Sequence, residues 1–266
     1  MSPVSAVSLV SHMRSFRAGL SLQAALLWRS PGELHMLATV PLYTLVLLAM
    51  TDAPNRPGLA STVVIAPTLM ALWSMALFTA GDLIDRDRAE GTLEATVAAP
   101  AALAPVFTGR ICAVTAAGLV AFAEAWAVGL CFGVRLTVHH PLVLVTGILA
   151  TALTTACTAA VIAAVLVLTR GGRPYQNSLS FPLYLLSGIV VPLGLLPEWV
   201  RPLSRVIYLS WSADLLRSAF RPEAPGRLPV QLLALVLLAA AGLGCATLLL
   251  RRVLARVRVL GTLGHV

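Results

Sequence analysis

Six apolar stretches, each close to the length of a membrane-crossing helix, leave this chain few ways to fold. Roughly 20 helical residues cross the hydrocarbon core, where only helices and closed barrels satisfy their own backbone hydrogen bonds. The stretches run over 34–51, 59–80, 111–134, 141–169, 179–196 and 228–250. Charged residues are only 11% of the chain and apolar residues 58%, whereas a soluble domain is about a quarter charged. An all-α integral membrane protein with six transmembrane helices is therefore predicted.

Charge placement sets the expected orientation. Arg14, Arg17 and Arg29 precede the first span, Arg86, Arg88 and Arg110 follow the second, Arg170 and Arg173 follow the fourth, and Arg251, Arg252, Arg256 and Arg258 follow the last. The other side has Arg56 and Arg135 in short loops, plus a long connector that counts less in the positive-inside rule. Both termini are thus expected in the cytoplasm. The net charge of +8 is dispersed between apolar runs rather than gathered on one basic face, which argues for anionic lipid and against nucleic acid as its counterpart. Every basic residue among the 19 is arginine, so the lysine that a GxxxxGK[ST] phosphate loop requires is missing. Cys112, Cys131, Cys157 and Cys245 share no CxxC spacing, and neither a disulfide framework nor a metal site is expected.

Residues 1–32 form an N-terminal segment ahead of a membrane domain at 33–251 and a basic tail at 252–266. Leu9, Met13, Phe16, Leu20, Ala24 and Leu27 recur at helical steps, the pattern of an amphipathic helix lying in the membrane interface. Such a helix either anchors the N-terminus or acts as a strut against a cytoplasmic partner.

The connector after the second span is the most punctuated part of the chain. It carries Asp82, Asp85, Arg86, Asp87, Arg88, Glu90 and Glu94. Asp82 and Arg86 have helical ion-pair spacing, so the second span should continue as a solvated helix. Gly91 can close that helix in a left-handed conformation, Thr92 can cap the next, and Pro100 ends it. A helix, an elbow and a short helix bearing Leu93 and Val97 are predicted.

The run Glu90-Gly91-Thr92-Leu93-Glu94, with Pro100 and Gly109-Arg110 opening the next span, resembles the cytoplasmic elbow of type-2 ABC exporter permeases. A second block is similar to that family's fifth span and external re-entrant segment: Phe181-Pro182-Leu183-Tyr184-Leu185-Leu186-Ser187-Gly188, then Pro192, Leu196-Pro197-Glu198-Trp199, Pro202 and Arg205. Asp214 to Arg217 extend the likeness, which covers most of the chain. The sequence departs from the common pattern at Ala95-Thr96-Val97 and at Tyr208-Leu209-Ser210-Trp211.

The resemblance implies a multi-pass permease of a bacterial cell membrane, paired with a second copy or a similar permease. It also implies an ABC ATP-binding subunit that docks on the elbow through Glu90, Gly91, Thr92, Leu93, Glu94 and Val97. ATP and magnesium would bind that partner, and this chain would carry no cofactor. Export of a drug, lipid or glycoconjugate by alternating access follows as the expected function. The family also places an external gate at Phe181, Pro182, Gly188, Pro192, Trp199 and Trp211.

The residues agree without the family at two places. Pro182, Gly188, Pro192 and Gly194 make the fifth span irregular, which lipid tolerates only where neighbours or a cavity accept the freed backbone groups. Short helices punctuated by Pro197, Pro202 and Pro222 follow, with Trp199, Tyr208 and Trp211 suited to an aromatic belt; gating and a static lid both fit. Glu124 is the carboxylate well inside a span. It contacts a cationic substrate, holds a neighbouring helix, or carries protons in an ion-coupled secondary transporter, the alternative to ATP-driven export. No catalytic nucleophile with a base, and no HExxH helix, is recognisable, so the chain is read as a transport subunit rather than an enzyme.

Overall fold

The computed structural model describes residues 3–29, 35–51, 57–80, 82–83, 86–87, 90–91, 103–168, 173–190, 198–199 and 201–260. Among them every regular element is helical. Helix α1 spans Pro3–Arg29, α2 His35–Thr51 and α3 Pro57–Ser74, which runs on as a π-helix over Met75–Ala80. Then come α4 (Leu103–Gly118), α5 (Val120–Cys131), α6 (Pro141–Leu168), α7 (Arg173–Leu186), α8 (Arg201–Val206), α9 (Tyr208–Ser218) and α10 (Leu228–Leu260).

Four of the predicted spans appear as helices long and apolar enough to cross a membrane: Leu59–Ala80, Ala104–Cys131, Pro141–Leu166 and Leu228–Leu249. The third starts earlier than its apolar run, because Leu103 to Arg110 form the first turns of α4 despite the arginine. The first predicted span is a 17-residue helix, whose apolar part, Leu37–Thr51, is shorter than a full crossing. The fifth is helical from Arg173 only to Leu186 and gives way at Gly188, where φ is +71°. The last helix continues through the expected basic tail to Leu260.

Helix α3 is the axis of the bundle. Of its apolar window 89% is buried, against 17% for that of α10, in keeping with a sequence that is apolar on all sides. Val63, Ile65, Ala66, Leu69 and Leu72 are buried on it, and Leu209, Leu215, Leu216 and Leu235 belong to the same core. Helices α2 and α5 pack on one side of α3, α9 on another, while α4 and α6 pack on its π-helical end. Helix α6 carries α10 along its length; Gly242 permits that approach, with Cys157 atoms from 3.5 Å of where a Cβ would stand. Buried threonines satisfy themselves within their helices: Thr44, Thr68, Thr115 and Thr155 each donate to the carbonyl four residues back at 2.7–3.0 Å, which suits a polar side chain in an apolar surround.

The amphipathic stripe of α1 needs correction. The face packed on the bundle carries Gly19, Gln23 and Leu27, with Phe16 half-buried, whereas Met13 and Leu20 are exposed and Ala24 lies outward. Of the apolar stripe, Phe16 and Leu27 pack on the bundle while Met13, Leu20 and Ala24 do not; close packing adds a glycine and a glutamine, which such a pattern passes over. At the crossing of α1 and α4 the backbones nearly touch. A Cβ on Gly19 would lie 2.1 Å from the Val106 carbonyl oxygen, and one on Gly109 would lie 2.2 Å from that of Phe16.

Candidate functional site

Beyond the π-helical end of α3 the chain continues in helical turns. The Arg86 N–H donates to the Asp82 carbonyl and the Glu90 N–H to that of Arg86, each at 2.9 Å. Gly91 follows at φ +69°, the left-handed closure that its place in the sequence predicts. A Cβ at Gly91 would meet nothing within 4 Å, so the requirement there is conformational rather than steric. Glu90 and Gly91 are exposed. Thr92, Leu93, Glu94 and Val97 lie outside the described residues.

A buried polar cluster sits beneath this turn. Arg110 donates to a carboxylate oxygen of Asp87 at 2.5 Å and through Nε to Gln23 Oε1 at 3.0 Å. All three residues are buried, and the guanidinium carbon lies 5.7 Å from the Phe107 ring centroid. A charge removed from water is tolerable only when paired and hydrogen-bonded; here Asp87 supplies the charge and Gln23 a further acceptor. The connector after α3, the opening of α4 and helix α1 are thereby joined at one guanidinium. Sequence reasoning counts Arg110 as a flanking charge and overlooks Gln23, because pairing across such separations leaves no spacing signal.

Glu124 stands on α5 beside a face of small residues, Ala121, Ala125 and Gly129, that lets α5 approach α2 and α3. Its Oε2 is buried and has no hydrogen-bond partner among the described residues. Helix packing through that oxygen therefore finds no counterpart among the described residues. Substituting glutamine should leave the unfolding free energy in detergent within about 0.5 kcal/mol of the parent, because no hydrogen bond of roughly 1 kcal/mol is broken. Calorimetry or a fluorescence melt checks this, and a fall of several degrees would restore Glu124 to a packing role.

At the other end of the bundle, residues of the second predicted block converge on the break in α7. Pro182 lies inside α7, Phe181 projects outward, and Gly188 follows in its left-handed conformation. Arg217 of α9 donates to the Gly188 carbonyl at 3.2 and 3.3 Å and to that of Ile189 at 2.6 Å, collecting carbonyls that the broken helix leaves without partners. Arg205 binds Asp214 at 3.1 Å and lies 4.6 Å from the Trp211 ring centroid, while Trp211 Nε1 donates to the Arg205 carbonyl at 2.8 Å. Trp199 is exposed, as an aromatic belt requires. Tyr208 is not a belt residue: it is buried, and its hydroxyl lies 3.1 Å from Thr155 Oγ1. Pro192 lies outside the described residues.

Tyr184 links this end to the centre. Its hydroxyl lies 2.9 Å from Ser74 Oγ and donates to the Met70 carbonyl at 3.2 Å. Those groups lie where α3 passes into its π-helical stretch, so α7 grips the axial helix at its change of winding.

A family model of the ABC-2 type transporter matches residues 15–220. The chain belongs to the ABC-2 type transporter family. No curated protein matches it. As an ABC-2 membrane subunit it is a multi-pass membrane protein and a transport component, in a family that pairs generally with an ATP-binding subunit. The match includes both turns of polar contacts described above and Glu124, and ends before α10. Within this ABC-2 subunit polar side chains join neighbouring helices near the two ends of α3.

Proposed function

We propose that this ABC-2 subunit is half of a substrate path in a bacterial plasma membrane, both termini cytoplasmic, exporting a hydrophobic or amphipathic drug, lipid or glycoconjugate. A second copy or a similar permease completes the path, and an ABC ATP-binding subunit drives alternating access from the elbow at Glu90 to Val97. The observation that carries this reading is the junction at Arg110. A helical turn leaving α3, closed by Gly91 and tied through Asp87 and Gln23 to two other helices, suits a lever that takes force from a soluble partner into the bundle. Phe181, Pro182, Gly188, Pro192, Trp199 and Trp211 are the proposed outer gate, with α7 bending at Gly188.

Leu93 and Val97 offer the apolar contact for docking and Glu94 an ion-pair partner. Leu93→Asp should bury a charge against the partner and weaken association by on the order of a few kcal/mol, while Asn55→Ala should leave it unchanged. Co-purification from membranes and stimulated ATP hydrolysis should fall together. Intact binding and transport in Leu93→Asp and Glu94→Arg would end the coupling assignment. The buried, unpartnered oxygen of Glu124 favours a second reading, ion-coupled transport. It predicts that a protonophore stops transport while ATP remains high, and that Glu124→Gln abolishes transport without altering assembly.

A further inference from the structure

At the end of the bundle opposite Arg110, the starts of α3 and of the 135–139 segment and the end of α9 border an open cavity of about 430 Å³. Arg135, Arg217, Arg221 and His139 line it, and no carboxylate does among the described residues. Leu59, Leu136 and Phe220 form an apolar part of the same wall. Two acids stand nearby: Asp214 is paired with Arg205, and both Asp214 and Glu223 line a neighbouring recess that shares Arg221. Arg135 and Arg221 make no ion pair among the described residues, and the buried Nε of Arg217 has no hydrogen-bond partner there.

We propose that this cavity binds a ligand bearing an anionic phosphate group. Three guanidinium groups converge on one hollow, and a bound anion offsets the repulsion between them that solvent and Asp214 leave uncompensated. Guanidinium forks match the spacing of phosphate oxygens, and the volume lies within the range of small-ligand sites. Leu59, Leu136 and Phe220 provide for a carbon portion beside the phosphate. The same chemistry is met in an anionic phospholipid headgroup and in a soluble phosphate. Arg217 also holds the Gly188 and Ile189 carbonyls, so occupancy would bear on the break in α7. The site stands independently of how transport is powered.

The test uses the full chain in a neutral maltoside detergent, titrated with dioctanoyl phosphatidylglycerol and, in parallel, with zwitterionic dioctanoyl phosphatidylcholine. Phosphatidylglycerol should bind saturably and phosphatidylcholine at least roughly tenfold more weakly; Arg135→Gln with Arg221→Gln should weaken the anionic lipid by a similar factor. Both side chains are exposed, and if the double variant does not fold, Arg221→Gln alone, expected to lose about threefold, decides. Arg14→Gln with Arg17→Gln on α1 is the control that should bind normally. Displacement by millimolar inorganic phosphate would assign a soluble phosphate ligand, and failure to displace would assign a lipid headgroup. Equal binding of the two lipids, or unaltered binding by the variant that folds, overturns the proposal.

Discussion

Arg110→Met should destabilise the permease by about 3–5 kcal/mol, the usual loss when one member of a buried ion pair is removed and the other keeps its charge. The carboxylate of Asp87 and the amide of Gln23 would each lose the Arg110 donor at a buried site. Asp87→Leu combined with Arg110→Met should recover part of the loss, because an apolar pair leaves no buried charge. Thermal unfolding in detergent measures both, and a double-mutant cycle separates the pairwise contribution. A single variant within 1 kcal/mol of the parent would mean that water reaches the cluster and that it joins nothing firmly.

The second large effect is steric. Gly19→Leu or Gly109→Leu must push α1 off α4, since the atoms in the way are backbone carbonyls rather than side-chain tips that could turn aside. Overpacking of this kind costs about 1–3 kcal/mol, and more when backbone must move. Release of α1 should appear as new protease cleavage within Pro3–Arg29 and loss of cross-linking between cysteines placed on α1 and α4. Gly244→Ala is the counterpart on α10, where a Cβ would meet nothing within 4 Å; there helix propensity should add stability, by about 0.5–1 kcal/mol. If the Gly19 and Gly109 variants behave like Gly244→Ala, the crossing is looser than its geometry states.

The sequence reading succeeded where the signal is local or one-dimensional. Apolar length gives α3, α6 and the membrane part of α10 almost to the residue, and Gly91 announces its own left-handed turn. Local signals do not predict which side of α1 packs, because its contact depends on Gly19 meeting Val106. They also miss Gln23, Tyr184 and Thr155 as binding partners, since each finds its counterpart on a remote segment. The fifth span was legible in part. Pro182 and Gly188 mark it as irregular and Gly188 does end the helical run, but no local signal shows that Arg217 donates to the freed carbonyls of Gly188 and Ile189. Hydrophobicity reports solvent and not winding. The elbow residues from Thr92 to Val97 rest on the family likeness, and Glu124 on the rarity of carboxylates in lipid.

A helix enclosed on all sides has no free flank along which to slip. Packed interiors have low compressibility, so α3 cannot be displaced at one end while its neighbours stay still. Its 22-residue apolar length separates the guanidinium at the elbow from the arginine-lined hollow by roughly 30 Å at 1.5 Å per residue. On the proposed coupling, work done at either extremity would be felt at the other as a shift of the whole rod rather than as a local yielding. The six π-helical residues at Met75–Ala80, gripped just upstream by Tyr184, are the one stretch of that rod whose winding already differs, and hence where such a shift can become a rotation.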